Sequence, residues 1–245
     1  MVDVSARSQG RAYAAGVVAA AVALGLLAFV ADSVGGVAGQ VLTALTSSGF
    51  AWGLAAFLAG RSAVGARQAV VGATALLTMA TVLYYLLVLL VSRRWSGATL
   101  EDGSSADLHG LRSVAVMTAL WLAGSLVAGP TLGLLGHVVR VGRASHAAVA
   151  TGLACGLLSG EGWHAMTEAP PWQLLRIADP YHAEFYRGVV ISETVQVALP
   201  LAVLAWLATA HRLWRVWPAL LVATISSGAL GALLWQLPRL VARSS

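Results

Sequence analysis

The run AYAAGVVAAAVALGLLAFVA, residues 12–31, decides the fold. It carries 20 residues without a charge. At 1.5 Å per residue a helix of that length covers about 30 Å, the thickness of a bilayer's hydrocarbon core. Inside hydrocarbon the backbone must satisfy its own hydrogen bonds, which a helix does within one segment. The run is longer than the roughly 7 to 15 apolar residues of a signal-peptide core. Further apolar runs follow it, so it is expected to be retained as a first membrane helix.

Working outward, comparable blocks appear at 41–60, 69–91, 114–135, 147–166, 188–210 and 217–237. They predict one integral membrane domain over 1–245, an all-α polytopic transmembrane helical bundle of about seven spans. Composition agrees: 58% of residues are hydrophobic, 10% are charged, and mean hydropathy is +0.79, whereas a soluble domain carries about 25% charged residues. The second block is interrupted by Thr43, Thr46, Ser47, Ser48 and Gly49. A short helix over 34–45, a break and a second short helix fit it as well as one continuous span.

Every one of the 15 basic residues is arginine, which with the abundant Ala, Gly and Val reads as a high-GC bacterial composition. The arginines stand singly or in pairs at block edges, where topology places them, and so do not point to nucleic acid. Arg7, Arg11, Arg61, Arg67, Arg140, Arg143, Arg212 and Arg215 fall inside if the N-terminus is inside, against seven arginines on the other face. The acids Asp32, Glu101, Asp102, Asp107, Glu168, Asp179 and Glu184 then fall outside, and only Asp3 inside. The reading is N-terminus inside and C-terminus outside, in the bacterial plasma membrane. The expected partners are the lipid bilayer, a small-molecule ligand and a partner membrane subunit.

Helical rise converts position into depth. Glu161 lies five residues from the outer end of its block and Glu193 five residues into the next, each roughly 8 Å down. Tyr84 and Tyr85 reach roughly 10 Å, and His164, Gln196, Trp235 and Gln236 flank the same layer. A carboxylate in hydrocarbon costs at least ~2.5 to 3.5 kcal/mol, so such groups face a bundle interior or a wet cavity. The candidate ligand-binding residues are therefore Glu161, Glu193, Tyr84, Tyr85 and His164. For each carboxylate the alternative is structural: Glu161 paired with His164 one turn away, Glu193 meeting water or Arg187. Gly156, Gly160 and Gly162 leave room beside Glu161 for a ligand or for a neighbouring helix.

Catalytic and metal motifs are sparse. Glu161 and His164 have a Glu-x-x-His spacing, but a carboxylate-bridged di-metal bundle needs a second pair that the chain lacks. With no lysine there is no Gly-x-x-x-x-Gly-Lys loop, and no Gly-x-Ser-x-Gly elbow occurs. The lone Cys155 excludes an intramolecular disulfide. No cofactor and no catalytic residue is assigned. Ala15, Ala19 and Ala23 form one small-residue stripe, and Gly129, Gly133 and Gly136 another. Both are read as packing surfaces within the chain.

Ser48-Gly49-Phe50-Ala51-Trp52, Ala56-Phe57, Gly60-Arg61, Tyr84-Tyr85, Gly129-Pro130 with Gly133, and Gly160-Glu161-Gly162 together resemble an uncharacterised family of small multi-pass membrane proteins from high-GC Gram-positive bacteria. That family implies no activity. In layout the chain also looks like the substrate-binding membrane components of energy-coupling vitamin importers, with an outward pocket, a covering loop and an alanine stripe. The leading expectation is a non-enzymatic permease or ligand-binding membrane subunit. The alternatives are an intramembrane enzyme on a lipid or isoprenoid, with Glu161 and His164 as acid–base pair, and a structural subunit.

Overall fold

A computed structural model describes residues 4–99, 104–176 and 180–236. Asp3, Glu101, Asp102 and Asp179, and the end of the last expected span at Leu237, lie outside the described residues. The apolar blocks are helical, and most of the helices run past their block into its polar flanks. Along the chain these are α1 (Val4–Ala31), α2 (Gly36–Thr46), α3 (Gly49–Ser62), α4 (Ala66–Leu87), α5 (Asp107–Val141), α6 (Ala144–Glu168), the short α7 (Pro171–Leu174), α8 (Pro180–Ala210) and α9 (Trp217–Leu234). A π-helical turn at Val88–Ser92 extends α4, and a 3-10 turn at Leu213–Val216 leads into α9. No strand occurs among the described residues, and the architecture is an all-α bundle.

The second block is broken. α2 and α3 are separate helices, which together measure 27 residues, enough to cross a bilayer. The break lets one span serve two halves of the molecule: α2 leans on α8, while α3 packs against α5 and α4. The first half is α1 on α4, α4 on α5 and α3 between them; the second is α6 on α9 and α8. α9 packs chiefly on α6, not on its sequence neighbour α8.

Glycine decides the closest of these crossings. A Cβ on Gly160 would stand 2.6 Å from the Gly231 carbonyl carbon, and one on Gly152 2.5 Å from the Leu220 oxygen, so α6 and α9 touch backbone to backbone. Gly133 likewise lies against Ala69 of α4, and Gly60 against Gly133. The room beside Glu161 is thus filled by helices: α9 at Gly156 and Gly160, α8 at Gly162. On α1 the expectation of internal packing fails, because Ala15, Ala19 and Ala23 are exposed. The helix meets α4 through the face carrying Val17, Ala21 and Gly25 instead.

Six described helical segments are long and apolar enough to cross a membrane: Ser8–Ala31, Gly36–Ser62, Ala66–Ser92, Asp107–Val141, Ala183–Ala210 and Leu213–Leu234. α6, at 25 residues, is long enough but is not among them. Its position explains its composition. Thirteen of its residues are buried against other helices, so Gly, Ser and Glu can replace the large apolar side chains that lipid-facing helices display.

Candidate functional site

The break between α2 and α3 is a designed junction of hydrogen bonds. Ser47 N–H donates to the Thr43 carbonyl at 2.8 Å, closing α2. Ser48, 3% exposed, is extended and opens α3: its hydroxyl donates to the Ala44 carbonyl at 2.6 Å and accepts from Ala51 N–H at 3.3 Å. Trp52 Nε1 donates to the Thr46 carbonyl at 3.0 Å. The first amide of α3 remains, and Gly49 N–H donates to Glu161 Oε2 at 2.6 Å.

Glu161 therefore lies at the N-terminal end of α3, where the helix dipole favours a carboxylate. Its other oxygen accepts a long 3.5 Å bond from Gln196 Nε2. Gly49 permits the approach because it has no side chain: a Cβ there would stand 2.5 Å from the Trp235 ring and 3.2 Å from Glu161 Oε2. Residues 112 positions apart are joined in this way, and α6 is tied to the interior end of a half-helix.

Beside this junction α2, α6 and α8 border an open cavity of about 1140 Å³. Glu161, His164 and Glu193 line it, as do Gln196 and Trp235. Asp32, Arg94 and Glu184 mark the end nearest the α1 and α4 C-termini and the α8 N-terminus. His164 and Glu193 are only 6% and 7% exposed. His164 Nε2, Glu193 Oε2 and the Oε1 of Gln40 are buried without a hydrogen-bond partner. Only two other such atoms occur among the described residues, His137 Nδ1 and Thr151 Oγ1, and neither residue lines the cavity.

Tyr84 and Tyr85 do not line this space. The Tyr84 hydroxyl donates to Asp32, which also holds Arg94 at 3.1 Å, and the two tyrosine rings pack edge to face at 5.0 Å. Tyr84 thus stands one hydrogen bond behind a cavity residue. The rotation of α4 turns Tyr84 toward Asp32, at the end of α1. Sequence reading passed over Gln40, Thr43, Ser192 and Arg94 as lining residues. Gln40 had a signal, being an amide side chain in the otherwise apolar run 34–42.

Among the described residues no three His, Cys, Asp or Glu side chains gather closely enough to hold a metal ion. The Glu161–His164 spacing puts both residues on the cavity wall without the third ligand.

At the opposite end of the bundle Arg61 Nη2 donates to His211 Nε2 at 3.1 Å, and the guanidinium lies 5.4 Å over the Trp206 ring. Arg140 donates to the carbonyls of Arg61 and Ser62 at 3.3 Å. These contacts tie the ends of α3, α5 and α8 together. Burial first, and then the Arg61 charge, hold His211 below the ordinary histidine value of 6.5.

Compared with known proteins, the chain matches no family model, no curated protein and no solved structure.

Proposed function

We propose that this chain is a non-enzymatic protein of the bacterial plasma membrane that binds a small molecule, as a permease or as the ligand-binding subunit of a larger assembly. It has seven spans, with α6 as the protein-enclosed one, and runs from an inside N-terminus to an outside C-terminus. The cavity then opens outward, at the end that carries Asp32 and Glu184, and the Arg61, Arg140 and His211 contacts lie inside.

One observation carries the reading: Gln40, His164 and Glu193, each of which holds a buried polar atom without a hydrogen-bond partner, all belong to the wall of a single cavity. Each such atom costs about 1–3 kcal/mol if left unpaired. A chain that concentrates this cost in one wall, rather than replacing the residues by apolar ones, keeps polar side chains beside the space that a ligand would enter. The volume is generous beside the roughly 300–1,000 Å³ of small-molecule pockets. The broken helix adds support, since interrupted membrane helices gather at binding sites.

The test is native mass spectrometry of the protein in mild detergent beside Glu161→Gln and Glu193→Gln. A small molecule that travels with the wild type and is lost from the variants is the expected result. A bound species, and any uptake it supports, left unchanged in both variants would refute the assignment of the site. A protein partner alone, retained by the variants, would favour the structural-subunit alternative.

A further inference from the structure

The two ends of the bundle differ in charge. The acids among the described residues, Asp32, Asp107, Glu161, Glu168, Glu184 and Glu193, stand at the end of α1, the start of α5, the second half of α6 and the first half of α8. The opposite end, where α3, α5 and α8 finish, carries Arg61, Arg140, Arg212 and Arg215 and no described acid. At the acidic end Arg94 is paired with Asp32. At the basic end the arginines turn to neutral groups instead. Arg61 donates to His211 and lies over the Trp206 ring, and Arg140 donates to the carbonyls of Arg61 and Ser62. Such contacts position a guanidinium without cancelling its charge, and each leaves most of its five N–H donors free.

The turn from α8 to α9 belongs to the same edge. Leu213, 1% exposed, packs in one cluster with Ala147 and Ala148 of α6, which seats the turn and leaves Arg212 and Arg215 exposed on either side of it. Neither of these side chains makes an ion pair among the described residues. Their counter-charge has to come from outside the chain. Trp206, Trp214 and Trp217, each about half exposed, flank the turn, and Trp214 Nε1 is held by Thr209 Oγ1 at 3.1 Å. Exposed tryptophans at the ends of membrane helices lie at the level of the lipid headgroups. Arginine beside tryptophan at that level suits an anion with an apolar body: the guanidinium fork matches phosphate oxygens, and the indole matches the start of an acyl chain.

We propose that the edge formed by the α8–α9 turn and the ends of α3 and α5 binds the headgroup of an anionic phospholipid. Arg212 and Arg215 take the phosphate, Arg61 and Arg140 raise the positive potential around it, and the exposed tryptophans lie along the upper part of the chains. This site is separate from the cavity and does not rest on the reading of the cavity as a ligand site.

The test is native mass spectrometry of the full-length protein in mild detergent with equal amounts of phosphatidylglycerol and phosphatidylcholine of matched acyl chains. Phosphatidylglycerol should be retained about fivefold or more over phosphatidylcholine, since each arginine near an anionic lipid contributes a factor of about five. Arg212→Gln with Arg215→Gln should reduce that preference about 5- to 30-fold. Arg212→Lys with Arg215→Lys, which keeps the charge, should retain most of it. Arg112→Gln with Arg176→Gln removes the same charge from exposed positions at the acidic end and should leave most of the preference in place. Excess inorganic phosphate should not displace the lipid.

Equal retention of the two lipids would overturn the proposal, as would a preference unchanged by the Arg212 and Arg215 glutamine pair. An equal loss in the lysine pair, or in the Arg112 and Arg176 pair, would show that charge at this turn is not what selects the lipid. Displacement by inorganic phosphate would replace the lipid site by a simple anion site.

Discussion

Replacing one glycine by alanine should have opposite effects at two places in this molecule. At Gly160 the added Cβ would lie 2.6 Å from the carbonyl carbon and 2.7 Å from the Cα of Gly231, and 2.9 Å from the amide nitrogen of Ala232. Ordinary contact begins at 3.4 Å, so α6 and α9 must separate locally by about 0.8 Å. All three obstructing atoms are backbone, so no rotamer change relieves the overlap. A gap of that size along a crossing forfeits about a quarter to a half of the dispersion energy of the facing atoms. Overpacking of this kind costs about 1–3 kcal/mol. At Gly124, on the exposed face of α5, nothing lies within 4 Å of the added Cβ, and alanine should stabilise by up to about 1 kcal/mol through helix propensity. The assay is reversible unfolding in mixed micelles of mild detergent and SDS, followed by circular dichroism. Gly160→Ala should unfold at a lower SDS fraction than wild type and Gly124→Ala at an equal or higher one. A Gly160→Ala protein as stable as wild type would refute the backbone crossing of α6 and α9.

Other substitutions probe the site and its surroundings. Glu161→Leu leaves the first amide of α3 unpaired and should cost about 1–3 kcal/mol, whereas Glu161→Gln keeps an accepting oxygen and should cost about 1 kcal/mol or less; equal loss in the same unfolding assay would mean that the bond to Gly49 contributes nothing. Tyr84→Phe removes the donor to Asp32 and should destabilise by about 1 kcal/mol in the same unfolding assay. No loss of stability would mean that the bond to Asp32 contributes nothing. His211 predicts a pH effect. Its value is lowered in the folded chain, so the folded protein binds its proton less readily than the unfolded chain does. The stability this histidine contributes is present above about pH 6.5 and is lost as the pH falls below it. Wild type should therefore lose more stability than His211→Gln between about pH 7.5 and about pH 5.5, and parallel losses would show that the burial of His211 beside Arg61 does not govern this pH dependence.

By itself the sequence determined the properties that follow from backbone geometry and solvent. Apolar runs of about 20 residues become helices because hydrocarbon leaves the backbone no other partners, and the described helices stand where the runs are. A fixed rise per residue lets positions on different helices be compared, and Glu161 and Glu193, placed in one layer by that comparison, line one cavity with the flanking His164. Rotation was not legible. It depends on which neighbour a helix meets, and that choice is made by glycines whose partners lie far along the chain, Gly160 with Gly231 and Gly60 with Gly133. Hence Tyr84 turned to Asp32, the alanines of α1 faced outward, and Gln40 arrived at the cavity from a run that sequence treats as apolar. The break at Ser47 and Ser48 shows the division most clearly. The polar run announces that a helix can end there, but continuing and breaking satisfy the local chain almost equally well. The choice falls to tertiary structure, because Glu161 of α6 accepts the amide that a break exposes and α8 offers α2 a separate surface to lean on.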